Sequence, residues 1–264
     1  MHLRHITLKP VAVDADVSVE DAARAIEASG GRHLPVVQAG RVLGVVLGAS
    51  IDDQGLLRQG TWVGWGRATT ARDLLTVVPQ VTLVGESRTP DEALDALLDH
   101  PCVLLVDDEG ALLGLMTEHD GVRVALERLG PDDPALPAAS APVRTIGVDD
   151  PGGDGLQRMG WHHTRHLVLV DGDRPIGVVS ERDLKAEGVH EGRSLSMGEV
   201  WRERPLVSAP ATATLMEVAT RIVDERVGCL PLLDEGGAPV GILTRRDLIR
   251  IALGGRRDRR VSAP

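Results

Sequence analysis

The chain has 264 residues, a net charge of −10 and four aromatic residues, all of them tryptophan. Nucleic-acid binding needs Lys and Arg on phosphates, and single strands also need aromatic platforms, so this composition argues against nucleic acid as a partner. No stretch approaches the roughly 18 apolar residues of a membrane span, and the N-terminal MHLRHITLKP has no apolar signal core. We therefore expect a soluble, cytoplasmic protein without a membrane partner.

The first of four similar segments opens with a predicted helix that starts at SVED, where Ser18 can cap the helix and Asp21 can reach back. The strand RHLPVV follows at 32–37, and GVVLGAS follows at 44–50. Leu47 and Ser50 occupy the positions at which the later segments have a hydroxyl residue and an aspartate. This segment therefore keeps the pattern only in part.

The second segment starts a helix at TPDE, with Thr89 as the predicted cap and Pro90 at the first helical position. The strand CVLLV begins at Cys102, and GLMTEHD occupies 114–120. That heptapeptide gives the full pattern: Gly, two apolar residues, Thr or Ser, two charged or polar residues, and Asp. A Pro- and Ala-rich stretch at 131–142 then predicts a linker.

The third segment has DDPGGDG from Asp149, which predicts a helix start broken by glycine, then RHLVLV at 165–170 and GVVSERD at 177–183. In the fourth segment, apolar residues lie on one predicted helical face at Leu215, Val218, Ile222 and Val223. The strand CLPLL, a turn and the strand VGIL follow. A closing helix then covers TRRDLIRIAL, with Leu248, Ile249 and Leu253 directed inward.

The four segments are repeats of one helix–strand–strand–helix unit. His33 and His166 stand eleven residues before their glycines, whereas Cys102 and Cys229 stand twelve residues before theirs. This alternation indicates that a module of two units was duplicated whole. The two cysteines have no CxxC partner, and we expect small buried side chains without a disulfide or redox role.

These repeats resemble a tandem of cystathionine β-synthase (CBS) domains, through the GhxT/SxxD pattern, the preceding HLPVV-like strand and their order. The resemblance implies an α+β fold in which repeats pair through their sheets into two pseudo-twofold modules. The expected boundaries are 1–128 for the first pair (repeats at about 8–55 and 71–128) and 129–142 for the linker. The second pair then spans 143–253 (repeats at about 143–190 and 194–253), and a disordered basic tail spans 254–264.

The family resemblance implies that clefts between paired repeats bind adenosine-containing ligands. A carboxylate can accept hydrogen bonds from both hydroxyls of a ribose, and a helix N-terminus with a nearby glycine can approach a phosphate. T-x-x-D at a helix start is also an ordinary capping box, which needs no ligand. The predicted ligand-binding pairs are Thr117 with Asp120, Ser180 with Asp183, and Thr244 with Asp247.

Arg182, Arg245 and Arg246 lie between hydroxyl and aspartate and are predicted to neutralise ligand phosphates. In the first repeat Leu47 cannot hydrogen bond, and Asp52 and Asp53 come too late along the helix. We expect that cleft to be empty or filled by side chains. We therefore expect one to three bound ligands per chain, and we expect binding first in the second pair of repeats.

No nucleophile, base and oxyanion donor are assembled in this sequence, so we expect no enzymatic activity and no required cofactor. WHHTRH at 161–166 runs from a helix end into a strand, which argues against a metal site. The first hypothesis is a regulatory protein that senses adenine nucleotides (AMP, ADP, ATP, NAD or S-adenosylmethionine), forms a homodimer and signals to an unidentified protein partner. The second is a structural or oligomerisation module with vestigial clefts.

Overall fold

A computed structural model of the chain describes residues 10–48, 51, 68–76, 78, 80–82, 90–187, 189, 195–201 and 204–255. The chain divides into two compact units, one built around Met1–Val124 and the other comprising Ala125–Ala252. Each unit contains two of the four repeats.

The first repeat forms β1 (Val13–Asp14), α1 (Val19–Ser29), β2 (His33–Gln38) and β3 (Arg41–Leu47). β1 pairs in parallel with β2, and β2 pairs antiparallel with β3. A further short strand, β4 (Leu75–Thr76), pairs antiparallel with β3. The predicted cap is confirmed, because the Asp21 backbone N–H donates to Ser18 Oγ at 3.0 Å.

The second repeat forms β5 (Gln80–Thr82), α2 (Pro90–Asp99), β6 (Cys102–Val106), β7 (Leu112–Thr117) and α3 (Glu118–Leu126). Pro90 opens α2 as predicted, because its fixed φ suits the first turn of a helix. The predicted cap Thr89 lies outside the described residues.

The third repeat forms β8 (Thr145–Gly147), α4 (Gly152–Trp161), β9 (His166–Asp171), β10 (Arg174–Ser180) and α5 (Glu181–Ala186), followed by α6 (Met197–Trp201). The glycines do not break α4, contrary to our prediction. A Cβ on Gly155 would lie 2.9 Å from Met197 Sδ, so this glycine allows α4 and α6 to pack closely. Tertiary packing overrides the low helix propensity of the segment.

The fourth repeat forms β11 (Ala209–Pro210), α7 (Leu215–Asp224), β12 (Cys229–Leu233), β13 (Pro239–Thr244) and α8 (Arg245–Ala252). The side chains predicted to face inward are largely buried: Leu215, Val218, Ile222, Leu248 and Ile249. Val223 and Leu253 are only half-buried. The four repeats thus share a β-α-β-β core, which a helix closes in the second, third and fourth; residues 49–50 and 52–67, which follow β3 of the first repeat, lie outside the described residues apart from Ile51. This confirms the α+β class and adds one short strand that the sequence pattern did not predict.

Every repeat has an irregularity at the same place in its hairpin. The strand register shifts immediately before the pattern glycine in all four repeats, at Gly44, Gly114, Gly177 and Gly241. A β-bulge bends a strand and changes the direction of the residues that follow it. The bulge therefore affects the direction in which the last residue of the second strand points.

The two repeats of the first unit pack sheet against sheet. Val42 and Val45 of β3 share one apolar cluster with Cys102, Leu104 and Val106 of β6. The other face of β2 and β3 packs against α1, so the strands are buried on both sides. This arrangement agrees with the sheet pairing that the family resemblance implies.

Residues near the predicted linker pack within the second unit. The Leu215 backbone N–H donates to Asp133 O at 2.8 Å, and Ser140 and Ile242 exchange two backbone hydrogen bonds of 2.9 and 3.1 Å. These residues therefore belong to the folded surface of the fourth repeat. The domain boundaries themselves stay predictions.

Candidate functional site

Each predicted hydroxyl residue is the last residue of a strand, and each predicted aspartate is the third residue of the helix that follows. In every pair the aspartate Oδ2 accepts two hydrogen bonds from the hydroxyl residue, one from its backbone N–H and one from its side chain. The two distances are 2.9 and 2.7 Å for Thr117 and Asp120, 2.9 and 2.5 Å for Ser180 and Asp183, and 2.9 and 2.7 Å for Thr244 and Asp247.

This geometry is that of a capping box. The helix starts also use other backbone donors internally, since Glu181 N–H donates to Arg165 O at 3.0 Å and Arg245 N–H donates to Gly228 O at 3.2 Å. The Asp183 N–H itself donates to Ser180 Oγ at 3.2 Å. The backbone N–H groups of Glu181, Asp183 and Arg245 are therefore used within the chain.

Burial separates these aspartates from an ordinary cap. The side chains of Asp183 and Asp247 are 24% and 19% exposed, whereas the Asp21 side chain in α1 is 61% exposed. A carboxylate withdrawn from water interacts more strongly with any polar group that reaches it. The pairs of the third and fourth repeats are thus better placed than Asp21 to bind a polar ligand.

Both cysteine thiols have a raised pKa. Burial raises the pKa of Cys229 to about 12; Arg245 lowers it, while Asp247 and Asp183 raise it further. Burial alone raises the pKa of Cys102 to about 12. Both cysteines are buried, as predicted. Asp183 and Asp247 belong to different repeats of the second unit, and both carry a negative charge that acts in the same direction on Cys229.

The second carboxylate oxygen, Oδ1, has a different environment in each pair. Asp183 Oδ1 accepts from Arg204 Nη2 at 3.3 Å, and Asp247 Oδ1 accepts from Arg250 Nη1 at 3.0 Å. Within the described part of the chain, Asp120 Oδ1 accepts no hydrogen bond. Burial raises the pKa of Asp183, but hydrogen bonds from Ser180 and the charge of Arg204 outweigh it, so the pKa lies below its usual range.

The three predicted phosphate-binding arginines occupy two kinds of position. Arg245 and Arg246 are half-buried, whereas Arg182 is exposed. Arg245 Nη2 also donates to the carbonyl of Arg226 at 3.1 Å. Sequence reasoning missed Arg204, which approaches Asp183 from a segment 21 residues away. Periodicity carries no signal for such a contact.

His166 connects the two repeats of the second unit. It pairs with Ser180 across β9 and β10, just as Cys229 pairs with Thr244 across β12 and β13. A Cβ on Gly228 would lie 3.1 Å from His166 Nε2. The absence of a side chain at residue 228 therefore leaves room for the imidazole beside the cleft.

Three of the four pattern glycines, Gly44, Gly177 and Gly241, face other parts of the chain and do not open the site to a ligand, contrary to our prediction. A Cβ on Gly44 would lie 2.6 Å from Thr76 O, and one on Gly241 would lie 2.8 Å from Ala139 Cβ. The indole of Trp201 covers Gly177 in the same way. The missing side chain at each of these glycines makes room for another part of the chain, which packs against the second strand of the hairpin.

In the first repeat, Leu47 ends β3 opposite His33 and packs against the apolar cluster between the sheets. The hydroxyl is therefore replaced by an apolar contact. Ser50, Asp52 and Asp53 lie outside the described residues, and the empty cleft stays a prediction. No described group of three or more His, Cys, Asp or Glu side chains could hold a metal ion. No helix in the described ranges is long and apolar enough to cross a bilayer.

Paired β-α-β-β repeats with a hydroxyl–aspartate pair at the strand-to-helix junction define a class of tandem-repeat proteins. The chain belongs to the CBS domain family, because the CBS domain model matches residues 3–47, 138–189 and 198–254, more than half of the sequence. The matched segments leave out the second repeat, which nevertheless has the same strands and helices as the third and fourth.

Two archaeal proteins match along nearly the whole chain. The uncharacterized protein MJ1225 of Methanocaldococcus jannaschii is 24% identical over 271 residues, covering 92% of this chain and 95% of its own. Its crystal structure, described as that of a proposed archaeal homologue of g-AMPK, superposes with a TM-score of 0.70 over 95% of this chain and 99% of its own, at 20% identity. An uncharacterized conserved protein from Pyrococcus horikoshii superposes with a TM-score of 0.65 at 21% identity, covering 96% and 100%. Both likenesses support the same fold.

Proposed function

We propose that the chain is a non-catalytic regulatory protein that binds adenosine-containing nucleotides in the clefts between paired repeats and transmits a conformational change to a partner protein. The observation that carries this proposal is that the Ser180–Asp183 and Thr244–Asp247 pairs stand on two repeats that meet where His166 lies against Gly228. Two half-buried carboxylates at one cleft are well suited to bind sugar hydroxyls, and the family resemblance implies adenosine-containing ligands.

The remaining contacts of the cleft suit a phosphorylated ligand. Each carboxylate uses Oδ2 for its own helix start, which leaves Oδ1 as the oxygen that a ribose diol can reach after an arginine moves aside. Arg182, Arg245 and Arg246 supply positive charge close to these carboxylates in sequence. The g-AMPK description of the M. jannaschii relative supports a regulatory role.

The second candidate is a structural or oligomerisation module without ligands. The capping boxes favour it, because Asp120, Asp183 and Asp247 each fulfil a complete structural role at their helix starts. Regulation in turn requires that a ligand bind two conformations with different affinity. Ligand binding is therefore the property that separates the two candidates.

A thermal-shift series with AMP, ADP, ATP, NAD and S-adenosylmethionine tests the proposal. A ligand at 100 times its Kd adds about 2.7 kcal/mol to the free energy of unfolding. For a chain of this size, each kcal/mol raises Tm by about 2–4 °C. We expect a rise of several degrees with at least one ligand. No rise with any of the five would support the scaffold, and mass spectrometry of a co-purified ligand gives an independent answer.

A further inference from the structure

The Oδ1 atoms of the three pattern aspartates differ in how easily a ligand can reach them. Arg250 lies on the same helix as Asp247, three residues further on, and the pair is 37% and 19% exposed. Arg204 comes instead from the residues before β11, and its side chain is 61% exposed while that of Asp183 is 24% exposed. One partner of the Asp183 pair is therefore mostly in solvent.

An ion pair with one exposed partner is held weakly. Exposed pairs of this kind change an equilibrium by no more than about five-fold, because solvent screens them and a long side chain loses freedom on pairing. Arg204 can thus leave Asp183 at little cost. A ribose diol requires this movement, since Ser180 already occupies Asp183 Oδ2 through two hydrogen bonds of 2.9 and 2.5 Å.

The displaced guanidinium then determines which ligand binds well. A neutral riboside takes the carboxylate and leaves Arg204 without its anion. A riboside that carries a phosphate brings a replacement anion, which a planar guanidinium can bind through two parallel hydrogen bonds. We propose that Arg204 is an exchangeable counter-ion of Asp183, which makes the cleft of the second unit select phosphorylated ribosides over neutral ones. The proposal rests on the proposed function and goes beyond it by naming a residue that sets ligand specificity.

Calorimetric titration of the full chain with AMP and with adenosine tests this role, and Asp183→Ala identifies the binding step that belongs to this site. Arg204→Gln is expected to weaken AMP binding at that step about ten-fold or more, because a charge-assisted hydrogen bond is lost. The same change is expected to strengthen adenosine binding up to about five-fold, because no internal cation has to be displaced. Arg204→Lys is expected to restore part of the AMP affinity.

Arg72→Gln is the matched control, since it removes an equal charge from an exposed ion pair with Asp16 in the first unit and should leave the step at Asp183 within about two-fold. Equal changes for AMP and adenosine in Arg204→Gln would mean that Arg204 only supports the fold, and would overturn the counter-ion role alone. A wild-type chain that binds neither ligand would overturn this role together with the proposed function. Circular dichroism of each variant confirms that it is folded.

Discussion

The first and fourth repeats build the same strand-to-helix junction with different side chains. Gly48 N–H donates to Arg32 O at 2.9 Å in the first repeat, and Arg245 N–H donates to Gly228 O at 3.2 Å in the fourth. Leu47 ends the strand in the first repeat, whereas Thr244 ends it in the fourth. The junction therefore forms without a hydroxyl at the end of the strand. The backbone of the junction does not depend on the hydroxyl–aspartate pair. The pair adds a helix cap and, in our proposal, a contact to the ligand.

Removal of the aspartate is expected to have the largest effect. Asp183→Ala is expected to weaken nucleotide binding by about 1.5–3 kcal/mol, or roughly ten- to over a hundred-fold, because a charge-assisted hydrogen bond is lost. It should also lower the free energy of unfolding by about 1 kcal/mol through loss of the cap. Calorimetric titration and urea unfolding measure the two effects separately.

Asp21→Ala in α1 provides the control for the cap alone. Asp21 hydrogen bonds with Ser18 at an exposed helix start, so its replacement should affect stability without affecting nucleotide affinity. If Asp183→Ala behaved in the same way, the aspartate of the third repeat would be a cap and nothing more.

Substitution of the pattern glycines tests whether close packing beside the second strand stabilises the repeats. Gly44→Ala and Gly177→Ala should each lower the free energy of unfolding by about 1–3 kcal/mol, because the added methyl group overpacks the crossing segment. The loss should be larger at Gly44, where the obstacle is the backbone carbonyl of Thr76. Urea unfolding of the variants measures both.

Gly153→Ala in α4 is the matched control for these substitutions. A Cβ on Gly153 meets nothing within 4 Å, so alanine should stabilise the helix by about 0.5–1 kcal/mol. A loss of stability at Gly153 equal to that at Gly44 would show that close packing is not the reason for the pattern glycines.

A hydroxyl residue can be introduced at the equivalent position of the first repeat. Leu47→Thr should lower the free energy of unfolding by about 1–2 kcal/mol, because part of an apolar side chain leaves the cluster between the sheets. It should not add a binding step to a nucleotide titration. A new step with AMP would show that the hydroxyl alone is enough to create a site on this junction.

The smallest expected effect concerns the two thiols, one in each unit. Burial raises the pKa of both Cys102 and Cys229 to about 12, from an ordinary thiol value of 9.0. The folded chain thus binds protons that the unfolded chain releases between these values. The stability contributed by each thiol is complete below about pH 9 and is lost progressively toward about pH 12.

Each thiol should therefore reduce the free energy of unfolding by about 1 kcal/mol between about pH 9 and 10. Urea unfolding at several pH values measures the slope, and Cys229→Ala should make it shallower. An unchanged slope, or rapid modification of both thiols by a disulfide reagent in the folded chain, would contradict their burial.

Sequence reasoning recovered the features that repeat along the chain. Hydrophobic periodicity predicted the buried face of α7 at Leu215, Val218 and Ile222, and residue spacing predicted the equivalence of Cys102 and Cys229. It missed β1 and β11, because two-residue strands are too short to show an alternating pattern. It also misread Gly44, Gly177 and Gly241, since a residue far away in sequence fills the space beside each of them.

In the candidate site, too, the sequence predicted contacts between residues close in sequence and missed those between distant residues. The pattern predicted the pairing of Ser180 with Asp183 and of Thr244 with Asp247, because both partners lie three residues apart. It gave no indication of Arg204, whose contact depends on the path of a segment that has no repeat of its own. Local spacing predicts local contacts, whereas crossing segments require coordinates.

The crossing segment at the start of the second unit determines how finely this chain can be divided. Asp133 and Ser140 hydrogen bond with the fourth repeat, although the third repeat lies between them in sequence. A cut made between the third and fourth repeats would separate these partners and leave the surface around Gly241 bare. The smallest transplantable piece is then about 133–252, taken whole, so gene fusions and domain shuffling would preserve pairs more readily than single repeats.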